Sequence, residues 1–154
     1  MARLDNMSEQ ERNLILSLPV AEFTTNPCVS GPPLNQRRVA IVTTSGLHLR
    51  NDRPFTISPD DFYRVIPGDV GDNDLVMSHG AASFDRSGFQ RDLNVVFPID
   101  RLRELQEEGV IGSLADYHYS ISSAHKGEDY EAPCKEIAGL LKQDNVDAVV
   151  LTPV

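Results

Sequence analysis

Residues 39–44 read VAIVTT, four apolar residues in a row, three of them β-branched, closed by two threonines. A strand with one wet face alternates polar and apolar positions. A near-continuous run of this kind belongs to a strand covered on both faces, as in a parallel sheet. The run DAVVLTPV at 147–154 has the same character. Two such strands require helices on both sides of a sheet, and the sequence between them supplies candidates.

Pro98 opens one helix, whose apolar stripe is Ile99, Leu102 and Leu105 and whose stop signal is Gly109. A second helix is expected in YEAPCKEIAGLLKQDN, with Ile137, Leu140 and Leu141 facing inward and feeding the final strand. Further strands are expected at YRVIPGDV (63–70), DLVMSHG (74–80) and DYHYSISS (116–123), with AASFDRSGFQRDLNVVFP (81–98) as a loop. Strands alternating with helices predict an α/β fold: a three-layer, Rossmann-like sandwich with a mostly parallel sheet. Ahead of it, Ser8 and Glu11 form a capping box for a short helix near 8–17, and TTNPCVSGPPLNQRR reads as an extended connection. The expected organisation is an N-terminal helix and arm over 1–37 and an α/β domain over 38–154.

A net charge of -9 excludes nucleic acid as a partner, because phosphate backbones are bound by an excess of Lys and Arg. The apolar runs are too short to span a bilayer, and the polar N-terminus lacks a signal-peptide core, so the expectation is a cytoplasmic protein with no membrane partner. Two cysteines, Cys28 and Cys134, give neither a disulfide framework nor a zinc pattern, and the four histidines have no ligand spacing, so no metal is expected. No glycine-rich phosphate loop supports a nucleotide cofactor.

Polar residues gather where the apolar strands stop, the edge at which open α/β sheets bind ligands. His79, followed by Gly80, Ala81 and Ala82, is either a proton donor to a leaving amine or a loop histidine bonded to backbone. Arg91 could pair with a substrate carboxylate. Asp92 and Asn94 either orient His79 or organise a turn. Ser45, His48 and Arg50 follow the first strand and line the same edge as His79 if the two strands are neighbours. Arg50 is a second carboxylate candidate. His118 and Ser120 either contribute to a pocket or alternate between core and solvent.

The run SHGAASFDRSGFQRDLNVVFPIDRLRELQEEGVIGSLADYHYSIS resembles the selenoprotein B family of glycine, sarcosine, betaine and D-proline reductases, RDLNVVFPIDRLREL being its most specific block. YRVIPGDV, LVMSHG and DNVDAVVLTPV fit the same family. The resemblance implies a component of a reductase that cleaves a C–N bond of an amino acid or betaine-type substrate, working with other reductase subunits. It implies a selenocysteine, or a replacing cysteine, directly after Val154, with this chain ending before it as the first half of a larger α/β protein. It also implies a pyruvoyl group on a partner subunit and electrons from dithiols. Two other readings stand beside it: a non-catalytic module that binds a small molecule or docks to a partner, and a racemase-like enzyme using Cys28 or Cys134. A truncated sheet edge would favour homo-oligomers.

Overall fold

The structure is a computed structural model and describes residues 4–17, 24, 28–56, 58, 60–80, 85–122 and 127–154. The chain divides into two compact units, residues 1–30 and 31–154. The first holds helix α1 (Glu9–Ser17). Its start follows from the capping box. Ser8 Oγ accepts the Glu11 N–H at 3.3 Å, and the Glu11 carboxylate accepts the Ser8 N–H at 3.1 Å and its hydroxyl at 2.7 Å.

The second unit is built on strand β1 (Arg38–Thr43). After a tight turn come β2 (Leu47–Leu49), β3 (Tyr63–Pro67) and β4 (Leu75–Met77). Helices α2 (Ser87–Arg91) and α3 (Ile99–Glu107) follow, then β5 (Ser113–Leu114) and β6 (Tyr117–Ile121). Helix α4 (Glu131–Gln143) returns the chain to β7 (Ala148–Thr152). β1 lies at the centre, parallel to β7 on one flank and to β5 and β6 on the other, while β3 closes the far side antiparallel to β6. The mostly parallel α/β sandwich expected from the alternation of elements is therefore present.

Two placements differ from the strand reading. β3 runs antiparallel, and β4 leaves the main sheet to form a two-stranded antiparallel ribbon with β2. The segment 81–98, expected as loop, contains α2 and a 3-10 turn at Leu93–Val95.

Register sorts the side chains into two layers. Val39, Ile41 and Ile66 share one face with Ala148 and Val150, and pack with Val96, Phe97, Ile99, Leu102 and Ile111. Val42, Tyr119 and Ile121 occupy the opposite face against Ile137, Leu140 and Leu141 of α4. The apolar stripes of α3 and α4 thus cover the two faces, as the both-sided hydrophobicity of β1 demands. On the α4 face, however, β7 leaves Val149 and Leu151 exposed, at 39% and 70%. Among the described residues no strand pairs with its outer flank.

Between β5 and β6 the chain leaves the β1 ladder. The Asp116 carbonyl turns away to accept the Gly68 N–H at 2.8 Å, and Gly68 has no room for a side chain, because a Cβ there would stand 2.6 Å from the Ala115 carbonyl oxygen. The Ile41 N–H loses a backbone acceptor and donates instead to Nδ1 of His118 at 3.0 Å. An imidazole replaces one rung of the ladder.

Two ion networks hold the ends of the unit. Arg38, at the start of β1, pairs with Asp144 beyond α4 and with Asp116, and donates to the Leu114 carbonyl. Asp61 is buried and accepts hydrogen bonds from Arg53, Arg64 and both the N–H and hydroxyl of Thr56. Burial alone would raise its carboxyl, but these donors outweigh it and bring the pKa down to about 2. Arg64 also stacks over Phe55 at 4.3 Å, so the 53–61 loop is folded onto β3.

Candidate functional site

The carboxyl ends of β1, β6 and β7 carry hydroxyls in one row. Register aligns Thr43 with Ser120 on one side and Thr152 on the other, and Ser120 with Arg64 of β3. One step deeper the row is apolar except for His118, beside Ile66 and against Phe97, whose ring it meets edge-on at 5.6 Å. The sheet therefore changes from oily to polar within two residues, because β1 and β7 end on Thr and Ser120 stands one residue before the end of β6.

The exits of β1 and β7 are stitched together. The Thr152 carbonyl accepts the Thr44 N–H and the Thr43 hydroxyl, both at 3.2 Å. Thr152 Oγ1 donates to the Val96 carbonyl at 3.0 Å. Thr44 Oγ1 accepts the Val154 N–H at 2.9 Å and lies 3.4 Å from the Val154 carbonyl, to which it donates. Val154 is thereby held on both its backbone polar groups by a single side chain.

Ser45 is fully buried, with Oγ 2.9 Å from Thr43 Oγ1. The next residue, Gly46, has φ +67, and a Cβ there would lie 3.0 Å from the Ser78 carbonyl oxygen and 3.3 Å from the His79 Cα. The antiparallel β2–β4 register, with Leu47 opposite Met77, thus brings Ser45 and His79 to one end. His79 is buried, and its carbonyl accepts from Arg86 at 2.8 Å.

The same register carries Arg50 to the opposite end of the ribbon. Its guanidinium donates twice to the Asn73 carbonyl, at 2.9 and 3.0 Å, which braces a turn. Arg91 ends α2 in solvent. Asp92 accepts from the N–H and side-chain amide of Asn94, and those bonds lower its carboxyl pKa. Asn94 in turn exchanges hydrogen bonds with Asp100 at the start of α3. Asp92 and Asn94 thus organise the entrance of α3.

His118 and Ser120 are both fully buried, and neither His118 Nε2 nor Ser120 Oγ has a partner among the described residues. Burial, with the nearby charges of Arg103 and Arg38, lowers the His118 pKa to about 4 against the opposing pull of Asp144, so its ring is neutral and Nδ1 is free to accept from Ile41. Cys134 lies on the exposed side of α4, and partial desolvation moves its thiol pKa up rather than toward an activated thiolate. Among the described residues no His, Cys, Asp and Glu cluster could hold a metal, and no helix is long and apolar enough to cross a membrane.

The family model for glycine/sarcosine/betaine reductase selenoprotein B matches residues 4–154. The chain belongs to this family. It is 39% identical over 121 residues to D-proline reductase subunit gamma of Acetoanaerobium sticklandii, covering 77% of this chain and 49% of that protein. It is 32% identical over 143 residues to glycine reductase complex component B subunit gamma of Symbiobacterium thermophilum, covering 87% and 32% respectively. Betaine reductase complex component B subunit beta of Peptoclostridium acidaminophilum is 34% identical over 126 residues, 77% of this chain and 28% of that one. The match thus spans about half the length of the D-proline relative and about a third of the others. No solved structure matches.

Beyond the candidates that the spacing offers, the structure brings Thr43, Thr44, Thr152 and Ser78 to these strand ends. The available signal was positional: each lies at or just past the end of an apolar run.

Proposed function

We propose that the chain is a component of an amino-acid reductase of the glycine, sarcosine, betaine or D-proline type, acting with other reductase subunits. The reaction is a reductive C–N cleavage: two electrons from a dithiol, which becomes a disulfide, and two protons convert the bond into C–H and an amine. The observation that carries this reading is the Thr44 clamp on Val154. It fixes the exit of β7 beside that of β1, at the polar edge where α/β sheets present reactive groups.

A selenocysteine in the next position, or a cysteine in its place, would enter this edge on a backbone already oriented. Its selenol would supply a nucleophile ionised near neutral pH. The residues around it are hydroxyls and a histidine, groups suited to hold a small zwitterion and to move a proton. Ser45 and His79 are the proposed substrate-facing pair, with Ser120 behind them. Asp92 and Asn94 shape the approach through α3, and Arg91 is the exposed cation that could meet a carboxylate.

The test extends the coding sequence beyond Val154 with selenocysteine incorporation. Both forms are then combined with partner reductase subunits, a dithiol and each candidate amine, and released amine is measured. Turnover should require the extended form. Equal turnover by the two, or a downstream codon for neither selenocysteine nor cysteine, would refute the reading and leave a binding role.

A further inference from the structure

The β2–β4 ribbon carries a hydroxyl–imidazole pair that the reductase reading does not use. His48 is 3% exposed, and its Nδ1 lies 2.7 Å from the Leu49 carbonyl oxygen. A carbonyl can only accept, so Nδ1 bears the proton and Nε2 presents a lone pair. Nε2 stands 2.9 Å from Ser78 Oγ, so the Ser78 hydroxyl donates into it. The ring is held from the side by Phe55, edge-on at 6.4 Å.

Ser78 is half-buried, and its N–H is fixed on the Gly46 carbonyl at 2.9 Å. The serine is thus positioned by the ribbon ladder, its base is locked in one tautomer by backbone, and its Oγ accepts no hydrogen bond from the described residues. This is the arrangement by which a weak hydroxyl nucleophile is activated: nucleophile on base, base oriented by a third group.

We propose that Ser78 and His48 form an activated-serine site that accepts an acyl or phosphonyl group from a small electrophile. Ser78 Oγ bonds to the carbonyl carbon or phosphorus, and its proton passes to His48 Nε2. The leaving group departs with the bonding pair and takes that proton. For an acyl group, water then cleaves the serine ester and restores the hydroxyl. No oxidant or reductant enters, so the site stands independently of the reductase assignment.

The intact chain is treated with a small alkyl fluorophosphonate, and the adduct is followed by intact mass and mapped by peptide mass spectrometry. One adduct on Ser78 is expected in the folded chain and none at that residue in urea. Ser78→Ala should abolish it. His48→Asn keeps an amide donor for the Leu49 carbonyl but removes the base, and should slow labelling at least tenfold, since general bases contribute about 100-fold or more. Circular dichroism reports whether each variant is folded. Absence of label at Ser78 in the folded chain, equal labelling in urea, or an unchanged rate in folded His48→Asn overturns the proposal. If His48→Asn fails to fold, the folded-against-urea comparison on the parent chain decides alone.

Discussion

Acidification should loosen this fold through one residue before the carboxylates matter. His118 titrates near 6.5 in an unfolded chain and at about 4 in the native one, where burial disfavours the imidazolium. A basic group whose native pKa is depressed leaves the unfolded state holding more protons between the two values, so stability falls as pH drops through that window. Between pH 7 and pH 4.5 the linkage relation gives a loss of about 2 kcal/mol from His118 alone. The structural counterpart is direct: a proton on Nδ1 would set two donors, itself and the Ile41 N–H, against each other. Urea unfolding followed by circular dichroism at several pH values measures the slope. The control is His118→Asn, which places an amide oxygen near the Nδ1 position and can still accept from Ile41 without titrating. That variant should lose about 2 kcal/mol less than the parent over the same interval. Equal losses in the two proteins would refute the assignment of a neutral, ladder-bonded imidazole.

Asp61 works in a lower window: its stabilisation is present above its ordinary pKa of 3.8 and is lost as pH falls toward about 2. Asp61→Asn at neutral pH should cost about 2 kcal/mol by thermal or urea unfolding, because Arg53, Arg64 and Thr56 lose a charged acceptor and Arg64 keeps only the half-exposed Asp52 at 3.4 Å; a cost near zero would contradict the pairing. Gly68→Ala should destabilise by about 1–3 kcal/mol, since its methyl would meet the Ala115 carbonyl oxygen at 2.6 Å, and unchanged stability would show that the bulge can relax. Leu151→Lys should change stability by no more than about 0.5 kcal/mol, as expected for an exposed position; a large loss would mean that this side of β7 is covered.

The parts of the fold that were legible were those written in contiguous residues. The apolar runs gave β1 and β7, the Ser8–Glu11 box gave α1, and Pro98, the Ile99–Leu102–Leu105 stripe and Gly109 gave α3. Gly109 has φ +70, the conformation that explains its use as a terminator. Five-residue α2 and two-residue β5 are too short for any periodicity to register. DLVMSHG was readable as a strand, but its sheet was not, because partner choice depends on contacts 30 residues distant. The site shows the same division. Polar residues at strand ends could be read directly, whereas the role of His118 exists only because the β1 register shifts by two residues between β5 (Val39 opposite Leu114) and β6 (Val42 opposite Tyr119), leaving the Ile41 N–H to the imidazole. Arg50 and His79 follow adjacent, paired strands, yet antiparallel pairing sends them to opposite ends of the ribbon.

The flank of β7 has a practical consequence for anyone handling this polypeptide. Its outward amides and carbonyls, bordered by Val149 and Leu151, form a template on which another extended backbone can zip, and isolated material should become turbid or oligomeric as concentration rises. A charged residue at 149 or 151 is the simplest remedy.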